Sequence, residues 1–143
     1  MIRAERMCAL VKEGKLAALP STSSASIIGS DRVTIEGIRY RKIACPPDGM
    51  CFYHAVANCL NHRARCEAWT AGKLYKMVAE NHPNVARTWA DDSDVSTTAR
   101  VLCLNIWVWE GANRMWISFG EDSHTKINLY NPHNVHYDAL VPL

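Results

Sequence analysis

The chain has 143 residues, 48% of them hydrophobic and 21% charged, the balance of an ordinary globular domain and too short for two full domains with separate cores. Its formal charge of +2 sits in the first 30 residues, where Arg3, Arg6, Lys12 and Lys15 outnumber Glu5 and Glu13; from Asp31 onward, basic and acidic residues balance. That body offers no concentrated basic face for neutralising phosphates, which argues against a nucleic-acid partner.

Along the chain, residues 2–19 could form a helix on Ile2, Leu10, Val11 and Leu16, interrupted by Gly14. Pro20-Ser-Thr-Ser-Ser-Ala-Ser26 has linker composition. We therefore divide the chain into an N-terminal arm and linker, 1–29, and a body, 30–143. Val33, Ile35, Ile38 and Tyr40 around Gly37 predict a short hairpin or bent strand ending near Ile43. Pro46-Pro47-Asp48-Gly49 forces a turn. Beyond it Phe52, Ala55, Val56, Cys59 and Leu60 recur at the spacing of a helix with one buried face, so Cys51 begins a helix.

A second helix is expected from about Glu67 to Glu80, with Pro83 beyond its end. The acidic and hydroxyl residues after Trp89 cap a third, in which Val95, Thr98, Ala99 and Leu102 keep helical spacing. Leu104 to Trp109, Met115 to Phe119 and Lys126 to Tyr130 read as successive strands, and a last one covers about Val135 to Val141. Helices first and consecutive strands later favour an α+β fold, with helices packed on a small, mainly antiparallel sheet. The longest apolar runs, Val101 to Leu104 and Ile106 to Trp109, are far shorter than the roughly 20 residues of a membrane span. No membrane partner is expected.

Six cysteines, Cys8, Cys45, Cys51, Cys59, Cys66 and Cys103, make an even number. The N-terminus shows no apolar core of a secretory signal, so free thiols and a cytoplasmic setting are the expectation. No Cys-x-x-Cys pair occurs and the other spacings do not suit structural zinc, so neither metal nor cofactor is expected.

A thiol attacks only as thiolate, and a helix N-terminus or a histidine partner can lower its pKa from about 8.5 to roughly 3.5–7.5. Cys51 has the first by position. Gly49 lets the preceding turn bend sharply, so that backbone N–H groups of Gly49, Met50 and Cys51 can converge on an oxyanion. Taken singly, such a cysteine reads as a small buried hydrophobe. Near the other end, His136 and Asp138 share a face of the expected last strand, while Val135 and Tyr137 point the other way. A carboxylate beside an imidazole fixes its tautomer and stabilises the imidazolium. Alone, His-x-Asp reads as a polar strand edge; with Cys51 it completes a nucleophile, base and orienting acid joined only by the fold.

Asp48-Gly-Met-Cys51-Phe-Tyr-His-Ala55 resembles the nucleophile motif of the ovarian-tumour (OTU) cysteine proteases, Asp-Gly-x-Cys followed by two hydrophobic or aromatic residues. Asn131-Pro-His-Asn-Val-His136-Tyr-Asp138 resembles that family's histidine motif, and the stretch from Trp89 to Val108 looks like its Trp-to-helix-to-strand segment. Cys51-Phe-Tyr-His is especially like viral members. The resemblance implies a papain-like arrangement and cleavage after the C-terminal Gly-Gly of ubiquitin or a ubiquitin-like modifier. It assigns Cys51 as nucleophile, His136 as base, Asp138 as orienting acid and Asp48 as organiser of the oxyanion loop. Met50 departs from the asparagine often found there, though its N–H is retained.

The expected function is thus that of a deubiquitinase, acting in host cytoplasm if the chain is viral. A protease that cuts its own polyprotein and a catalytically silent ubiquitin-binding module are the alternatives. Tyr53, Trp116, Asn134 and Tyr137 are candidates to line a narrow substrate channel. His54, one helical turn after Cys51, could touch the site but reads first as a helix-surface residue; Trp107, Trp109 and Trp116 read as sheet packing ahead of a substrate platform, and Asp91, Asp92 and Asp94 as helix caps or partners for arginines of a substrate tail.

Overall fold

The computed structural model describes residues 31–132 and 136–143. The expected N-terminal helix, the linker and the 29/30 boundary lie outside them. Strands β1 (Arg32–Ile35) and β2 (Ile38–Ile43) form a hairpin, which decides between the two expected alternatives. Its two-residue turn needs positive φ at both positions, and Glu36 (51°) and Gly37 (81°) adopt it, the geometry that matches strand twist. Helix α1 (Cys51–Ala64) follows the proline turn, then α2 (Ala71–Ala79), with Thr70 capping the Lys73 N–H, and α3 (Asp92–Leu102). In α3 the side chains of Asp91 and Asp94 exchange bonds with each other's backbone N–H, a capping box that sets where the helix starts. Strands β3 (Leu104–Glu110), β4 (Met115–Phe119), β5 (Thr125–Asn131) and β6 (Asp138–Pro142) complete the molecule.

The architecture is α+β, as expected. The six strands form one sheet in the order β1-β2-β6-β5-β3-β4. Every neighbouring pair is antiparallel except β3 and β5, which run parallel because β4 forms a hairpin outside β3 and the chain returns to its other side. The last strand begins at Asp138, so His136 and Tyr137 lie just before it and not within it.

Helix α1 differs from its expected one-sided stripe. Phe52, Tyr53, Ala55, Val56, Ala57, Cys59 and Leu60 are all buried, because β5 and β6 cover one side of the helix and α2 packs against another. Leu74, Val95, Leu102, Leu104, Ile106 and Leu129 extend this main core. A second cluster forms on the opposite face of the sheet from Ile35, Tyr40 and Leu140, with Trp109, Trp116 and Tyr130 against it. The sheet curls enough for Tyr40 of β2 to reach Trp116 of β4, with ring centroids 6.1 Å apart, although three strands separate them.

Candidate active site

Cys51 occupies the first turn of α1, whose N-terminus has no side-chain cap and no acidic residue in its first turn. The first amides of a helix lack partners within it, and here they lie beside a thiol. Cys51 is 2% exposed. Burial pushes its thiol pKa up, and the charge of Asp48 adds to that; the backbone N–H groups of Tyr137, Phe52 and Cys51 itself pull it down without prevailing. The helix-terminal lowering expected from the sequence is therefore outweighed by desolvation.

The Tyr137 N–H at the Cys51 sulfur ties the entry to β6 against the start of α1. The Phe52 and Tyr137 rings also meet, edge to face at 5.4 Å. On either side of Tyr137, His136 Nε2 and Asp138 Oδ1 are 2.8 Å apart. The same Asp138 oxygen accepts a 2.9 Å bond from the Cys45 N–H, a backbone partner 93 residues away. With its side chain 7% exposed, the carboxylate is shielded from water and aimed by that amide. Cys51, His136 and Asp138 are thus gathered from the two ends of the described chain. Nε2 of His136 is engaged by Asp138, leaving Nδ1 as the ring nitrogen to exchange a proton elsewhere.

The loop before Cys51 is held from two sides. Gly49 has φ +81°, and its carbonyl accepts a 2.7 Å bond from the Trp89 N–H. Asp48 accepts the Met50 N–H on one oxygen at 3.0 Å and meets His54 Nε2 with the other at 3.2 Å. Partial desolvation would raise the Asp48 pKa, but the Met50 and His54 bonds together hold it below the usual carboxylate value. The Met50 N–H is consequently turned toward Asp48, which corrects its expected part as an oxyanion donor. In the turn, Met50 serves as the helix N-cap residue and Gly49 as the bend.

Tyr137 lines a cavity of about 380 Å³ beside the site, with Ala90, Asp92, Val108, Glu110 and Phe119 among the other walls. Its hydroxyl bonds to Asn131, and burial, with the nearby charge of Asp92, pushes its pKa up to about 12.

Two expected substrate contacts are corrected. Tyr53 is fully buried, its hydroxyl on the Ala86 carbonyl at 3.3 Å, and cannot line a channel. Trp116 belongs to the cluster on the sheet face opposite α1. Asp94 is likewise turned inward, capping α3 and accepting the Ala86 N–H, so of the three acidic residues only Asp91 and Asp92 face the cavity. Asn134 lies outside the described residues. Sequence reasoning missed the Cys45 and Trp89 amides, which as backbone groups carry no residue-type signal. His54, one turn beyond Cys51, is a part-exposed helix residue that contacts Asp48 of the preceding loop. Among the described residues no cluster of three or more His, Cys, Asp or Glu could hold a metal ion.

A thiol at an uncapped helix start and an imidazole paired with a buried carboxylate thus lie on either side of the Tyr137 contact, on an α+β fold. No protein-family model and no curated protein matches the sequence. Solved structures do resemble it. An OTU domain in complex with ubiquitin superposes with a TM-score of 0.61 at 19% identity, covering 80% of this chain and 78% of the other. The viral OTU domain protease from Taggert virus gives 0.54 at 17% identity, over 78% and 84%. The Hazara virus OTU bound to ubiquitin gives 0.50 at 22%, over 78% and 86%. The fold is that of the OTU domains.

Proposed function

We propose that the chain is a thiol-dependent deubiquitinase that hydrolyses the bond after the C-terminal Gly-Gly of ubiquitin or a ubiquitin-like modifier. The observation that carries this reading is the gathering of Cys51, at the uncapped start of α1, with the His136–Asp138 pair through the Tyr137 amide. The reading draws further support from the ubiquitin complexes of two structures that share the fold. Cys45, Cys59 and Cys66 are free thiols, which suits work in a reducing compartment such as the cytoplasm.

In this mechanism His136 removes the Cys51 proton as the sulfur attacks the carbonyl carbon of the terminal glycine. General-base assistance suits this thiol because burial disfavours its thiolate form. Asp138 stabilises the imidazolium that forms. Negative charge develops on the carbonyl oxygen, where the first amides of α1 are the available donors. Collapse of the tetrahedral species expels the amine of the modified protein, which takes the proton from His136. Water, deprotonated by His136, then attacks the thioester and releases the carboxylate and the Cys51 thiol. Tyr137, at the wall between nucleophile and cavity, borders the path of the tail. Asp92 and Glu110 supply negative charge to the same cavity, suited to basic residues preceding the glycines.

The test is incubation with ubiquitin bearing a C-terminal electrophile, read by intact mass. One ubiquitin should add to the wild-type chain and none to Cys51→Ala. A folded wild-type chain that forms no adduct would leave a silent module or a protease of other specificity.

A further inference from the structure

We propose that His54 is a positioning residue of the loop that precedes the nucleophile: it holds Asp48, and Asp48 in turn holds the Met50 amide. This rests on the reading of Cys51 as nucleophile. His54 lies one helical turn after Cys51 and Asp48 three residues before it, so the 3.2 Å contact between them spans the nucleophile from one side to the other. Asp48 does not cap the helix in the usual way, which would place its oxygen on an amide of the first turn. Its Oδ1 instead takes the N–H of Met50, the N-cap residue itself, leaving the first-turn amides of α1 without a side-chain cap.

The peptide linking Gly49 to Met50 is consequently tied at both ends, its carbonyl to the Trp89 N–H at 2.7 Å and its N–H to Asp48 at 3.0 Å. The Trp89 tie comes from a separate segment. The Asp48 tie depends on a carboxylate that is half exposed, and a second side-chain partner restricts its rotation. His54 supplies that partner from a rigid helix. An exposed polar contact contributes little to global stability, so the role of this one lies in preorganisation: a loop fixed beforehand costs no reorganisation when the oxyanion forms.

The experiment compares wild type, His54→Ala, His54→Gln, Asp48→Ala and the His54→Ala/Asp48→Ala double variant on a ubiquitin C-terminal fluorogenic conjugate. Hydrogen exchange of the Met50 amide is measured in each. His54→Ala should lower kcat about tenfold and change KM less than twofold, a smaller loss than the roughly 10²–10³ of deleting an oxyanion donor. His54→Gln, which keeps an N–H donor, should recover most of the rate. The double variant should be no slower than Asp48→Ala alone, since His54 acts only through Asp48. Met50 exchange should accelerate in His54→Ala and return toward wild type in His54→Gln.

Unchanged kcat in His54→Ala, losses that multiply in the double variant, or Met50 exchange indifferent to His54 would each overturn the assignment. The exchange measurement needs no turnover. If the wild-type chain fails to cleave ubiquitin conjugates, the deubiquitinase reading falls and the Met50 amide still reports on the clamp.

Discussion

Asp138 has two tasks that substitution can separate. Its Oδ1 faces His136 Nε2 at 2.8 Å and accepts the Cys45 N–H at 2.9 Å. Asparagine keeps an oxygen able to accept from Cys45 but loses the charge that stabilises the imidazolium. A hydrogen bond to a charged group contributes about 1.5–3 kcal/mol, so Asp138→Asn should reduce kcat by about ten- to a hundredfold, using the tenfold-per-1.4 kcal/mol conversion. The corresponding change in a serine triad costs about 10⁴, and the loss here is smaller because a thiol needs less help to ionise than a hydroxyl. KM should stay within about threefold, since Asp138 lies behind the histidine. Asp138→Ala removes the acceptor as well, leaving a buried amide unpaired at a cost of about 1–3 kcal/mol in stability. Steady-state kinetics on a ubiquitin conjugate and chemical denaturation provide the two readouts. Wild-type kcat in Asp138→Asn, or equal stability of the Asn and Ala variants, would refute the double role. Greater damage from Asn134→Ala than from Asp138→Asn would reassign the orienting residue.

Gly49→Ala must adopt φ +81° with a Cβ only 3.1 Å from Thr88 Cβ and 3.3 Å from Trp89 Cε2; we expect a loss of about 1–2 kcal/mol from the left-handed backbone alone and slower turnover, and wild-type melting and rate would contradict the described turn. Burial pushes the Cys45 and Cys59 thiols up to about 12, whereas unfolded thiols ionise near ~8.5. The unfolded chain thus binds fewer protons above that pH, and stability present at neutral pH should fall between about pH 8.5 and 12, by about 1.4 kcal/mol per unit for each thiol. Denaturation midpoints measured across that range should show a shallower decline in Cys59→Ala, and an identical slope would mean that Cys59 is not shielded. On substrates, replacing the final glycine of ubiquitin by alanine should nearly abolish cleavage, because a methyl group displaces the carbonyl from its donors as well as crowding the wall; equal kcat/KM would favour an open cleft and a polyprotein substrate.

Much of this molecule is written in local patterns. The proline-aspartate-glycine turn followed by apolar residues at helical spacing places Cys51 at a helix start, Glu36-Gly37 closes a hairpin, and Asp91 with Asp94 marks the start of α3. These features depend on the backbone dihedrals and capping chemistry of a few adjacent residues, so they survive without knowledge of the rest. The pairing of His136 with Asp138 was legible for the same reason, two residues of one short segment. Tertiary structure alone decided the parallel β3–β5 pair with β4 outside it, the curl that joins Tyr40 to Trp116, and the burial of Tyr53. It also decided that desolvation raises the Cys51 pKa despite the helix terminus, since burial depends on what the whole chain packs around the sulfur. The amides of Cys45 and Trp89 belong to the same class: every residue but proline carries a backbone N–H, and only the closing of distant segments selects which ones meet Asp138 and Gly49.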